Sequence, residues 1–269
     1  MSYSFFCLFL WTCMYWSTTD AYCNCNSCEI FYRNCREIQN FNPGAVSGEY
    51  KIQPLPNEDP IEVYCEMAIQ GGGFTFLPRS LTRRTDAQNI VNALFQDKKN
   101  VLLKLQRKVD RSEWYTLIQP HPLFSSTDFG VLVNGFSGYT QPLNAFMKDY
   151  ILLGIIPKSA ANNNGLQGFK SNNKVIQFKN CDKNPNSFFA FLPNNGLQTP
   201  NTYHNNNLIY ESSGVAVEWR KSSIAITNPD RMMPDKFFFL TEVLHGGCGC
   251  YTSSDRWKDG FHATAIGLR

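Results

Sequence analysis

Cysteines, the histidines near them and a run of lysines and arginines are the residues whose types and spacing could do chemistry in this chain. The tightest cluster is His245, Cys248 and Cys250, in the string HGGCGC. An imidazole and two thiolates this close could begin a zinc site, but only three ligands are local and the C-x-C spacing is shorter than the usual one. Cys23, Cys25 and Cys28, in YCNCNSC, pose the same question. Disulfide bonding is the better reading in both places, so no metal and no cofactor is expected. Cys23 and Cys25 are poorly placed to bond to each other, because a disulfide wants Cα atoms roughly 5.5 Å apart with suitable Cβ directions. At least one of them should reach a distant cysteine, and a link to Cys248 or Cys250 would staple the two termini of one domain.

Catalysis finds little in the histidines. None of His121, His204, His245 and His262 lies in an H-E-x-x-H or G-x-S-x-G context. His121 stands between prolines in QPHPLF, which suits a loop residue better than a tuned base, and His204 lies in an asparagine-rich stretch. Glu113, Asp128, Glu218 and Glu242 could meet as carboxylate pairs, but a sheet protein with this many acids offers such pairs by chance. No enzyme is expected.

The basic run is more suggestive. From Arg79 to Arg111 nine Lys or Arg stand against three Asp, in a chain whose formal charge is only +3. Arg83, Arg84, Lys104, Arg107, Lys108 and Arg111 are the candidate binding residues. On one shared surface they would attract sulfated or carboxylated glycans or an acidic matrix component. The plainer account is that lysines keep a strand face soluble.

Compartment bears on all of this. Residues 1–21 carry an apolar run from Phe5 to Trp16 followed by small and polar residues, the order of a secretory signal peptide with cleavage after Ala21. The run is shorter than the roughly 20 apolar residues that cross a bilayer, and no later run replaces it, so no membrane span is expected. Cys7 and Cys13 would leave with the leader. Cys23, Cys25, Cys28, Cys35, Cys65, Cys181, Cys248 and Cys250 remain, and in an oxidising compartment they suggest up to four disulfides. A secreted, extracellular protein follows, and export disfavours nucleic acid as a partner.

The elements that must position these groups read as mostly strands. Residues 22–34 form a cysteine-rich leader with too few apolar residues for a core, and 35–269 is expected to be one extracellular domain. GEYKIQP, IEVYCEM and FTFLP are short β-rich runs separated by turn residues and read as a small sheet; EWYTLIQ, FGVLVNGF, YILLGIIP, KVIQF, SFFAFLP, GVAVEWR, SIAIT, KFFFLTEV and HATAIGL continue the pattern. Asp86 to Phe95 is the best helix, with Ala87, Ile90, Val91, Leu94 and Phe95 on one face. In VLLKLQRKV, alternation points Val101, Leu103, Leu105 and Val109 inward and Lys104, Gln106 and Lys108 outward, which predicts a basic, wet face. Residues 162–207, crowded with asparagine, read largely as loops. The Phe188, Phe189 and Phe191 group and the Phe237 to Phe239 group should each be at least partly core. The fold class is α+β: a β-rich, disulfide-stapled domain with few helices.

NCREIQNFNPGAVSGEYKIQP, IEVYCEM and GGGFTFLPR, about residues 34–79, together resemble the amino-terminal subdomain of the fibrinogen-like domain, a fold related to that of the intelectins. The matching residues are Cys35, Gly48, Tyr50, Ile52, Pro54, Val63, Tyr64, Cys65, Gly72, Gly73 and Thr75, with Phe74 where the family usually has Trp. The resemblance implies a small sheet subdomain over 35–80, a short helix after the first cysteine and a Cys35–Cys65 disulfide. The family's acidic calcium loop has no counterpart in HGGCGCYTSSDRWKDGFHATAIGLR, where only Asp255 and Asp259 are near, so its capture of acetylated sugars beside calcium is not carried over. The function expected is non-catalytic, lectin-like recognition of carbohydrate or anionic glycan. The alternative is a structural or adhesive matrix component acting through homo-oligomers or acidic surfaces.

Overall fold

Local chemistry starts the first helix. The Asn34 side chain accepts a hydrogen bond from Glu37 N at 2.9 Å, Glu37 in turn accepts from Arg33 N at 2.8 Å, and α1 (Cys35–Phe41) follows from this reciprocal cap. The computed structural model describes residues 22–23, 30–135, 149–156, 166–179, 187–193, 215–227, 232–245, 251–254 and 261–269. Before α1, the short strands β1 (Tyr22–Cys23) and β2 (Ile30–Phe31) pair with each other. After it come β3 (Gly48–Ile52), β4 (Ile61–Glu66) and β5 (Phe74–Phe76), an antiparallel set. Cys35 and Cys65 are disulfide-bonded with Cα atoms 5.3 Å apart, tying α1 to β4. Closing a loop of that size stabilises the fold by about 3–4 kcal/mol if chain entropy dominates.

The helix read over 86–95 is α2 (Ala87–Leu94), whose Ala87, Ile90, Val91 and Leu94 are all buried. It leads into β6 (Val101–Arg107) and β7 (Glu113–Pro120). Further along are β8 (Gly130–Val133), β9 (Ile151–Gly154), β10 (Leu166–Ser171), β11 (Lys174–Lys179) and β12 (Phe188–Leu192). The chain then adds α3 (Val215–Lys221), β13 (Ile224–Ala225), β14 (Leu240–His245), β15 (Tyr251–Ser254) and β16 (Phe261–Leu268).

Two larger antiparallel sheets result among the described residues. One runs β11-β10-β7-β6-β16-β5-β4-β3, with β13 also on β7; the other runs β15-β14-β12-β9-β8. Strand β16 lies between β6, along its whole length, and β5, at Gly267 and Leu268. Its free stretch is taken by Phe239, which exchanges backbone hydrogen bonds with Thr264 at 2.9 and 3.0 Å and so joins the second sheet to the first. The principal core fills one side of the first sheet with Leu103, Leu105, Ile266, α2 residues and Phe189, Phe191 and Val243 of the second. A second core covers the opposite side with Tyr64, Phe74, Phe76, Leu102, Met233, Phe237, Phe238 and Ala265.

That second core corrects the reading of β6. Lys104 and Gln106 do not face water; they are 1% and 4% exposed. Their face is covered by the segment 232–239, so strand alternation separated two cores rather than core from solvent. GVAVEWR forms α3, not a strand. Trp219, fully buried with its ring 5.2 Å from that of Phe189, overrides the strand preference of its two valines. Strand β10 emerges from a stretch read as loops, and β3 to β5 are one end of the large sheet rather than a sheet of their own. Every phenylalanine of the two aromatic groups is buried.

Candidate functional site

Strand β6 and the segment 232–239 bring together the groups with the most unusual surroundings. Lys104 extends from the middle of β6 so that its Nζ lies 2.6 Å from Glu66 Oε2 and 3.4 Å from Glu113 Oε2. The rings of Tyr64 and Phe76 stand 4.9 and 5.7 Å from the same nitrogen. Glu66 Oε1 also accepts from Ser47 Oγ at 2.9 Å, Ala68 N at 3.0 Å and Ile69 N at 3.2 Å. Burial pushes the Glu66 carboxyl up, but the Lys104 charge and these N–H donors outweigh it and hold the group below the usual carboxylate range. Glu113 has fewer partners: Lys104 and the Met233 N–H, which donates to Oε1 at 2.6 Å. Burial therefore wins there, and the Glu113 carboxyl is pushed up. This trio anchors the 67–69 turn and the covering segment to the sheet. All three side chains are buried.

The candidate basic residues do not form one patch of free charge. Arg84 is tied to Asp86 by two hydrogen bonds of 2.8 and 2.6 Å, and Arg107 pairs with Asp110 at 3.6 Å. Arg111 donates to Gln106 Oε1. Arg83 is 74% exposed and lies 3.9 Å from Asp149. Arg107, Lys108 and Arg111 share the β6–β7 hairpin, Arg83 and Arg84 precede α2, and Lys104 is lost to the interior.

Among the histidines, His121 is buried and its Nδ1 accepts from Leu123 N at 3.1 Å, capping the short turn Pro122–Phe124. Burial lowers its pKa. Its role in the chain is to close the end of β7. Cys23 ends β1, while Cys25, Cys28, Cys181, Cys248, Cys250 and His204 lie outside the described residues, as does the signal segment 1–21. Among the described residues no group of three His, Cys, Asp or Glu is placed to hold a metal, and no helix is long and apolar enough to cross a membrane.

One pocket draws on both sheets. Arg79, Gln106, Pro193, Asp235, Phe238, Phe239, Leu240 and Ala263 line a space of about 110 Å³. It opens beside the point where Phe239 bridges to β16, so its walls belong to the hydrogen-bonded frame. Gln106 Nε2 reaches Asp235 Oδ1 at only 3.4 Å, a long bond, and no described residue pairs with the Arg79 guanidinium. Arg79 opens the basic run of the sequence but is not among its candidate binding residues, because Gln106 and Asp235, which share the pocket wall with it, are distant in the chain and carry no local motif.

Residues 31–101 match the family model described as fibrinogen beta and gamma chains, C-terminal globular domain. That stretch runs from the end of β2 through α2 to the first residue of β6 and contains the Cys35–Cys65 bond. A similar protein is the human fibrinogen-like protein 1, 40% identical over 70 residues that make up 26% of this chain and 20% of that relative. Domains of this type are non-catalytic recognition modules, typically extracellular.

Proposed function

We propose that this chain is a secreted, non-catalytic recognition protein that binds carbohydrate or anionic glycan. The observation carrying the reading is the fibrinogen-type stretch 31–101, present as a disulfide-closed set of strands continuous with the main sheet. The chemistry around it supports binding over turnover. The buried carboxylates Glu66 and Glu113 are closed around Lys104, whereas the accessible polar groups include paired cations and a small pocket. Export through residues 1–21, leaving the cysteine-rich leader 22–34 on a domain spanning 35–269, completes the proposal and sets the oxidising environment its cysteines need.

A glycan array probed with the secreted protein tests the reading, with the amino terminus sequenced on the same sample. Retention on a defined subset of glycans and a terminus at Tyr22 are expected. A folded protein that ignores every neutral and charged glycan would reject recognition of sugars. For the anionic arm, Arg83, Arg107 and Lys108 are the positions to reverse to Glu, since they lie outside the buried trio; heparin retention at low salt should then fall. Lys104 has no place in that set.

A further inference from the structure

We propose that the pocket between Arg79 and Asp235 is a binding site for an uncharged pyranoside, which it holds by an edge bearing two adjacent hydroxyls. This deepens the glycan reading and rests on it. The lining argues for the class. A guanidinium and a carboxylate share the wall with the Gln106 amide, which reaches the carboxylate, and with carbon surface from Pro193, Phe238, Leu240 and Ala263. An anionic group would meet Asp235 and a cationic one Arg79, so either loses on one side what it gains on the other. Adjacent hydroxyls lose nothing. Each can donate to Asp235 and accept from Arg79 or from Gln106 Nε2, and the C–H face of the ring lies against the carbon surface.

Three details favour a ligand over a closed internal contact. The Arg79 guanidinium has no partner among the described residues. The Gln106–Asp235 bond, at 3.4 Å, is long enough for a hydroxyl to replace it at little cost. Gln106 itself is 4% exposed and held from behind by Arg111, so its amide is already oriented. The volume limits the reach: about 110 Å³ is small for a ligand site and suits one sugar ring rather than an extended chain.

The experiment titrates the purified protein with the methyl glycosides of glucose, mannose and galactose, then with those of glucuronic acid and glucosamine, by ligand-observed NMR. Wild type, Asp235→Asn, Arg79→Gln and Ala263→Leu are compared, with thermal melts as the folding control. At least one neutral glycoside should bind about tenfold more tightly than either charged one, and Asp235→Asn and Ala263→Leu should each weaken it about tenfold. Asp235→Asn should also relax the exclusion of the glucuronoside, an effect that a loss of folding would not produce. Charged glycosides binding more tightly than every neutral one, or neutral binding unchanged in Asp235→Asn and Ala263→Leu, would overturn the site. Continued retention on a glycan array by those same variants would then leave glycan recognition standing and remove only this pocket. Silence of the wild type toward every glycan would remove both. Asp235 is exposed, so if Arg79→Gln or Ala263→Leu fails to fold, Asp235→Asn decides alone.

Discussion

Lys104 is the residue whose removal should be felt most. Among the described residues it is the cation that pairs with both Glu66 and Glu113, and truncating it leaves two buried carboxylates without that charge. Lys104→Met should therefore cost about 3–5 kcal/mol in urea unfolding; a cost near zero would mean that the trio is better solvated than the packing around it indicates. Glu113→Gln should behave differently. Its carboxyl is pushed up by burial, so the folded protein holds this proton more readily than the unfolded chain does, and an amide imitates the protonated form while keeping an acceptor for Met233 N–H. The pH dependence follows from the sign. A raised folded pKa gives a stabilising contribution that is complete below the unfolded value of 4.5 and is lost as pH rises through the folded value. Glu66, with a lowered pKa, contributes above its unfolded value and loses that contribution as pH falls through the folded one. His121, also lowered, opposes Glu113 by weakening the fold as pH drops below its unfolded value of 6.5. The Glu113 part is thus read as a difference: as pH falls from 7 to below 4.5, wild type should gain stability relative to Glu113→Gln. Parallel curves for the two proteins would reject the shift.

The turn that feeds β5 shows what a single glycine does for an element. Gly72 has φ +71, and a Cβ there would sit 2.2 Å from Met67 O and 2.3 Å from Gln39 Nε2, the two atoms whose hydrogen bond of 2.9 Å docks α1 on the turn. Neither can withdraw without losing the other. Gly72→Ala should cost more than about 2 kcal/mol, combining left-handed strain with the broken docking, and a melt close to wild type would contradict that geometry. Here the sequence was informative, since three consecutive glycines before an aromatic strand announce a tight reversal, as the spacing of Ala87, Ile90, Val91 and Leu94 announces α2. Elsewhere it was not. Val215, Val217 and Trp219 alternate as a strand would, and only the place of Trp219 beside Phe189 makes a helix of them. Lys104 and Gln106 look like an outer face until the segment 232–239, more than a hundred residues away, arrives to bury them. Local period identifies which side chains share a face, but not what lies across from that face. The pocket was illegible for the same reason: Arg79, Gln106 and Asp235 belong to three distant stretches, and none carries a motif.

At the scale of the whole molecule, the fibrinogen-type stretch 31–101 ends where its strands need partners from elsewhere. Beyond β5 the sheet continues into β16, which supplies Gly267 and Leu268 to Phe76 and Thr75 before pairing along β6. Phe76 and Tyr64 face the second core, whose other half is Phe237, Phe238 and Met233. The stretch also holds Glu66, but not the Lys104 and Glu113 that complete its ion trio. Strands, core and charge all cross the boundary, so this stretch should not unfold separately from the strands after it. Native-state hydrogen exchange can resolve this, because units that open separately have separate free energies. The slowest amides of β4 and β5 should share one opening free energy with those of β6 and β16, and Lys104→Met should lower all four by the same amount. A lower free energy confined to β3, β4 and β5, unmoved by Lys104→Met, would show instead that the matched stretch is a unit of its own resting against an independent sheet.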